Sequence, residues 1–471
     1  GRHAQLRAAA PWPGARRLHR RLARQGRLMI ERAVTVREPR RRALRRLGAG
    51  MVAVIGAGIG CGRRADAGGP LHFWAMGREA EVVGTLLPAF RARHPGIEVR
   101  IQQLPWTAAH EKLLTAYAGD SLPDLCQLGN TWIPEFTALD AIEPLDERVA
   151  SSTIRLDDYY AGVLDTNRMP AASAAHAPEL RGLPWYVDTR LLYYRTDLLR
   201  RAGVKQAPRS WAEWRTAMQA IRQLGGAGRY GALLPVNEPE PLYAFALQQG
   251  ALLKDGDTRG AFSQPAFRRA LAFYASLFHD GLAPSMTNTE ISNVWDEFAR
   301  GMFAFYISGP WNIGEFRRRL PAAVQGDWAT APLPGPDGPG VSTAGGSSLV
   351  LMRSSPRKDA AWKLIEFLSE AATMQRFHAL TGDLPPRRSA WLAPALRDDV
   401  PSRAFAEQLE RVRPAPKVPE WERIFQEMQL TAERVVQRKQ SVDAATLQLD
   451  AWTDAVLEKR RWLRERAKAQ G

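Results

Sequence analysis

At several points in the 471-residue chain an acid or amide stands close to glycine, proline, tryptophan or tyrosine where a strand-like pattern ends. These points are Met76-Gly77-Arg78-Glu79, Gly129-Asn130-Thr131-Trp132, Trp185-Tyr186-Val187-Asp188 and Asn237-Glu238-Pro239-Glu240. Ligands of open α/β sheets collect beyond the carboxyl ends of the strands. There Glu79 can accept a hydrogen bond from a hydroxyl, and Arg78 can donate one or orient Glu79, although an acid in the first turn of a helix also serves the helix dipole. Asn130 can both donate and accept, or cap the helix behind it. Asn237 and Glu240 add a further polar group after a later strand. In Gly345-Gly346-Ser347, Gly346 lets backbone N–H groups approach a bound hydroxyl closely. Paired carboxyls also raise hydrolysis, since a glycosidase needs two of them about 5 to 10 Å apart. Glu79 with Asp188, or Glu238 with Glu240, are the candidate pairs. No HExxH, Cys/His cluster, Walker A or GxSxG pattern occurs. The set therefore reads as binding residues, with no catalytic residue, metal or cofactor expected and hydrolysis as the alternative.

Net charge first suggests nucleic acid or an anionic membrane as partner, because the chain carries +16. Its distribution removes that suggestion. Residues 1–64 hold 17 arginines against only Glu31 and Glu38, a net +15, which leaves +1 for everything that follows. The basic stretch ends in Arg40-Arg41-Arg42-Ala43-Leu44-Arg45-Arg46, and an uncharged apolar run follows over residues 47–60. That run is shorter than the roughly 20 residues of a membrane-spanning helix and suits the apolar region of an export signal. Met29 is the expected initiator, with residues 1–28 then upstream sequence or a long basic region. Gly58-Ile59-Gly60-Cys61 resembles a bacterial lipobox, so lipidation at Cys61 is expected beside ordinary cleavage nearby, and the arginine pair loosely resembles a twin-arginine signal. Cys126 then stands alone, which leaves no disulfide framework and suits a small buried apolar residue.

About 400 residues remain, more than one core usually organises, so two lobes are expected. An apolar run over 71–75 precedes Val82, Val83, Leu86, Leu87 and Phe90 at helical spacing. His94-Pro95-Gly96 breaks the helix, and Ile97, Val99 and Ile101 alternate as in a strand. This strand–helix–strand unit recurs over 107–139 and again after Ser210 and Glu213, a capping-box pair. Residues 302–307 form a dense apolar strand, residues 331–340 a Pro/Gly loop, and residues 357–471 are mostly helical.

The segment Leu183-Pro184-Trp185-Tyr186-Val187-Asp188-Thr189-Arg190-Leu191-Leu192-Tyr193-Tyr194-Arg195 resembles the crossover of the extracellular solute-binding proteins that feed sugars to ABC importers. Phe90-Arg91-Ala92-Arg93-His94-Pro95-Gly96-Ile97-Glu98-Val99, Phe298-Ala299-Arg300-Gly301-Met302-Phe303-Ala304-Phe305, Ala344-Gly345-Gly346 and Asp359-Ala360-Ala361-Trp362 follow the same family's order and spacing. The resemblance covers residues 70–390. It implies a two-lobed periplasmic-binding-protein-like α/β fold, each lobe a sheet flanked by helices, with a hinge between the lobes and the ligand in the cleft. Lobe I would comprise 70–185 plus 318–371, and lobe II 187–315 plus 373–471.

By the same resemblance Tyr186 and Asp188 face the cleft, with an Asp188–Arg190 ion pair as the structural alternative. Trp311 would stack under a sugar ring or pack the hinge, and Arg387 would donate to the sugar. Ser347 stands where relatives that bind α-glucosides carry tryptophan. The implied ligand is a neutral carbohydrate, such as an α-glucoside disaccharide, whose hydroxyls need fixed donors and acceptors and whose C–H faces stack on rings. The implied partners are the transmembrane subunits of an ABC permease, with no nucleic acid, a membrane link only through Cys61, and a monomeric state. The implied location is the periplasm or the outer face of the cell membrane. The alternatives are a non-sugar solute (polyamine, peptide or glycerol phosphodiester) and, as above, a glycosidase.

Overall fold

The computed structural model describes residues 69–170, 177–225 and 228–470. The export leader expected over 1–64, its start at Met29 and the lipidation at Cys61 lie outside the described residues.

Strand and helix alternate at the start because the apolar period switches from two to 3.6 and back. β1 (Leu71–Met76) buries Leu71, Phe73 and Ala75, and α1 (Gly77–Arg93) turns Val82, Val83, Leu86, Leu87 and Phe90 onto the sheet. Each such side chain contributes about 1.5–3 kcal/mol before conformational entropy is counted. β2 (Val99–Leu104), α2 (Trp106–Ala118), β3 (Leu125–Gly129), β4 (Leu183–Asp188) and β5 (Leu191–Arg195) follow, then β6 (Tyr230–Leu233), α3 (Glu240–Gln249), β7 (Phe303–Ser308) and α4 (Trp311–Arg319). β8 (Trp328–Ala331), β9 (Gly345–Leu351), α5 (Ala371–Thr381) and α6 (Trp421–Val436) complete the elements that build the site. The capping box forms as expected, Ser210 accepting from the Glu213 N–H and Glu213 from the Ser210 N–H.

Two sheets result. The first runs β2-β1-β3-β9-β4, with β1 parallel to β2 and β3, and β9 antiparallel to both β3 and β4. The carboxyl ends of β1, β3 and β4 therefore meet the amino end of β9 along one edge: Ser347 lies opposite Gly129, and Gly345 opposite Asp188. The second sheet runs β8-β5-β7-β6, with β7 parallel to β6 and antiparallel to β5, so Ser308 at the end of β7 lies opposite Leu191 at the start of β5. Only Thr189 and Arg190 separate β4 in one sheet from β5 in the other. Each sheet has its own core, and a third cluster joins Val187 and Leu384 to Leu191, Tyr193, Phe316 and Phe405 at the crossing.

Two segments sit differently from the expected boundaries. Trp328–Ala331, inside the 318–371 range expected in lobe I, pairs with β5 of the second sheet, so the chain crosses back between Ala331 and Gly345. α5, most of which was expected in lobe II, packs on the first sheet, where Phe377 stacks on Trp185 with centroids 4.6 Å apart. A short apolar stretch declares its element type; its partner is decided by non-local packing. Cys126 is fully buried in β3, and burial pushes its thiol up, as suits an inert apolar residue. Among the described residues no helix is long and apolar enough to cross a membrane.

Candidate ligand-binding cleft

The two strand edges face each other across a cavity of about 550 Å³, within the range of small-molecule sites. The first sheet's side supplies Glu79, Trp106, Asn130, Trp132, Asp188 and Gly346. The opposite wall comes from Glu240 and Tyr243 on α3, Trp311 on α4, and Glu422 and Phe425 on α6, while Asp383 enters from the loop after α5.

A chain of hydrogen bonds locates Glu79. The Met76 N–H donates to Gln127 Oε1 (2.8 Å), Gln127 Nε2 donates to Ser347 Oγ (3.0 Å) and Tyr186 Oη (3.4 Å), and Tyr186 Oη donates to Glu79 Oε1 (2.8 Å). Burial pushes the Glu79 carboxyl above its ordinary range and the Tyr186 phenol well above its own, so the tyrosine remains a donor. Asn130 donates to the Gly345 carbonyl (3.1 Å) and accepts from Ser348 Oγ (2.8 Å), which ties β3 to β9 at the cleft floor.

Aromatic rings stand on both walls. Trp106 and Trp132 tilt against each other at 5.7 Å, and Tyr243 meets Phe425 edge-on at 5.2 Å. Trp106 and Trp311 keep 37% and 41% of their surface exposed, which leaves faces free for a ligand. Between them Arg190 Nη1 donates to Asp188 Oδ1 (2.7 Å) and Nη2 to Glu240 Oε1 (3.4 Å), with its guanidinium 4.6 Å from the Trp311 ring centroid. Asp188 thus makes the ion pair and lines the cleft at once, and burial raises its pKa against the opposing pull of Arg190.

Five carboxyl groups line the cavity, Glu79, Asp188, Glu240, Asp383 and Glu422, against the single guanidinium of Arg190 among the described residues. This is more acidic than the mixed lining expected from sequence. Burial first, then the charges of Glu79 and Asp188, push Asp383 up to about 7. Between pH about 4 and 7 the folded chain holds a proton there that the unfolded chain has released, so this group lowers stability as pH rises through that window. Asp383→Asn is expected to raise the melting temperature more at pH 8, where the full cost of ionising Asp383 applies, than at pH 5, where only the start of that window has been crossed. Thermal unfolding of both proteins at both pH values checks this, and equal shifts at the two pH values would contradict it.

Of the residues singled out in the sequence, Glu79, Asn130, Tyr186, Asp188, Glu240, Trp311 and Gly346 come together here. Four lie elsewhere. Arg78 donates to the Leu380 carbonyl (3.1 Å) on the exposed side of α1, and Asn237 pairs with Asn288 (2.8 Å) beyond the start of α3. Ser347 is fully buried beneath the sheet edge with Gln127, because alternation along β9 turns it inward. Arg387 is held by Asp158 (2.7 Å) and the Ser369 carbonyl (2.6 Å). Trp106, Asp383, Tyr243, Glu422 and Phe425 went unnoticed in the sequence. Trp106 had a signal, since it follows β2 as Asn130 follows β3; Glu422 and Phe425 look like any face of an amphipathic helix.

A family model for the bacterial extracellular solute-binding proteins matches residues 79–375. The sugar-binding protein MalE from the phytopathogen Xanthomonas citri shares 54% sequence identity and superposes with a TM-score of 0.81, over 84% of this chain and 99% of that one. The diacetylchitobiose binding protein DasA of Streptomyces coelicolor is 23% identical over 331 residues, 69% of this chain and 74% of DasA. The galactooligosaccharide-binding protein of Bacillus subtilis is 26% identical over 285 residues, 57% of this chain and 64% of its own length. With two sheets facing across one cleft and a match over most of its length, the chain belongs to the bacterial extracellular solute-binding proteins, a family of binding proteins, and is the solute-binding component of an ABC importer.

Proposed function

We propose that the cleft binds a neutral saccharide, an oligosaccharide such as a glucose disaccharide, and delivers it chemically unchanged to the transmembrane subunits of the importer. The observation that carries this reading is the pair of aromatic walls facing each other across carboxyl groups in one cavity. Sugar hydroxyls donate to carboxylates, sugar C–H faces lie on rings, and no charge on the ligand is needed to satisfy either. The names of three similar proteins, the sugar-binding MalE, the diacetylchitobiose binding protein and the galactooligosaccharide-binding protein, point the same way. Closure takes place about the crossing at residues 189–190, excluding water and presenting the closed form to the permease. The protein acts as a monomer on the outer side of the cell membrane, held there by acylation of Cys61.

The count of carboxyl groups supports a second reading, a polyamine. Asp383, pushed up to about 7, and Asp188 and Glu240, already paired with Arg190, work against it by lowering the negative charge that a polycation would meet. A glycerol phosphodiester is disfavoured by the lone Arg190, since phosphate recognition wants several cationic donors. A thermal-shift panel of mono- and disaccharides, putrescine, spermidine and glycerophosphocholine separates these readings. The expected result is a shift by one or more disaccharides alone, about 2.7 kcal/mol of added stability at a hundredfold excess over Kd. A shift by spermidine and by no sugar would replace this proposal, and release of free monosaccharide during incubation would revive the glycosidase alternative.

A further inference from the structure

Beyond Arg190 the second sheet carries another cavity, of about 450 Å³, walled by Glu238, Asn293, Trp295 and Tyr306. Its lining repeats the chemistry of the cleft: a carboxyl, an amide and aromatic rings. Three residues line both spaces, Arg190, Glu240 and Trp311. Of these Arg190 is clamped at the border that the two spaces share. Its side chain is largely buried, its guanidinium is gripped by Asp188 from the first sheet and Glu240 from α3, and the Trp311 indole supports its flat face. Its backbone is held as well, since Ser342 Oγ donates to the Arg190 carbonyl (2.6 Å). A side chain held at three points on a tethered backbone is a wall more than a flexible contact.

We propose that Arg190 limits the length of the saccharide this protein accepts, ending the bound chain at the partition between the two cavities. The inference rests on the saccharide reading above and adds a specificity-determining residue to it. With the guanidinium in place, a two-unit sugar fills the interlobe cavity and meets Arg190 at its end. Without it, a longer chain runs past Trp311 toward Trp295 and Tyr306, where Glu238 and Asn293 offer partners to further hydroxyls.

The test is calorimetric titration of the wild type, Arg190→Ala and Arg190→Lys with two-, three- and four-unit members of gluco-, galacto- and chito-oligosaccharide series. For the series it binds, the wild type is expected to prefer the two-unit member over the four-unit member by at least about tenfold in Kd. Arg190→Ala is expected to narrow that ratio to near unity while weakening two-unit binding. Arg190→Lys keeps the charge between Asp188 and Glu240 and shortens the wall, so it narrows the ratio less; it carries the test if the alanine variant does not fold. A ratio that stays unchanged in a folded variant, or a wild type that takes four units as tightly as two, overturns this inference and leaves the saccharide reading standing. A wild type that binds no member of any series overturns both.

Discussion

Trp311→Ala is expected to weaken saccharide binding by about 1–3 kcal/mol, roughly fivefold to 150-fold in Kd, with little change in the melting temperature of the unliganded protein. The ring opens helix α4 directly after Gly309 and Pro310, at the carboxyl end of β7, and keeps 41% of its surface exposed. An exposed ring adds little to the fold, whereas a ligand that covers it gains the full burial of an indole face. Arg190 takes part of that ring, so truncation also loosens the guanidinium that Asp188 and Glu240 hold. Asp188→Ala is expected to cost a similar amount by leaving Arg190 half-paired. Calorimetric titration of both variants reads the effect, and unchanged affinity in both would mean that the ligand lies elsewhere.

Gly346→Ala is expected to destabilise the fold by about 2–4 kcal/mol and to weaken ligand binding with it. Gly346 sits at φ +106°, a conformation that residues with a side chain rarely adopt. A Cβ there would run into the carbonyl oxygen of Tyr186 and lie 2.9 Å from Val187 Cα and 3.0 Å from the Asp188 nitrogen. Relief requires β9 to draw away from β4 next to the irregularity between Ser347 and Ser348, and β4 carries both Tyr186 and Asp188. Stability and site geometry are thus coupled through one glycine. Urea unfolding of Gly346→Ala measures the first and titration the second; a variant with wild-type midpoint would show that the strands part at no cost.

The residues that approach the ligand from strand ends were legible without coordinates because a strand end is a local event. Apolar alternation stops, glycine or proline intervenes, and the next polar side chain lies on the carboxyl edge of a sheet whatever that sheet later pairs with. Glu79, Asn130 and Glu240 followed from that rule alone, and Trp106 would have. Tyr186, Asp188 and Trp311 needed the likeness to a family as well.

Partners were not legible. Whether Arg387 faces a sugar or Asp158, whether Ser347 looks out or in beside Gln127, and whether 328–331 joins the first sheet or the second depend on residues far away in the chain. The acidity of the cleft was hidden for the same reason. Asp383 follows a helix packed on one sheet and Glu422 lies on a helix packed against the other, and each is unremarkable where it stands in sequence. The amino-acid sequence by itself determined the elements, their edges and the kinds of group carried there, since periodicity and chain-breaking act over a few residues. Only the tertiary structure decided which of those groups share one space and shift one another's titration, because burial and charge coupling depend on distances that folding alone creates.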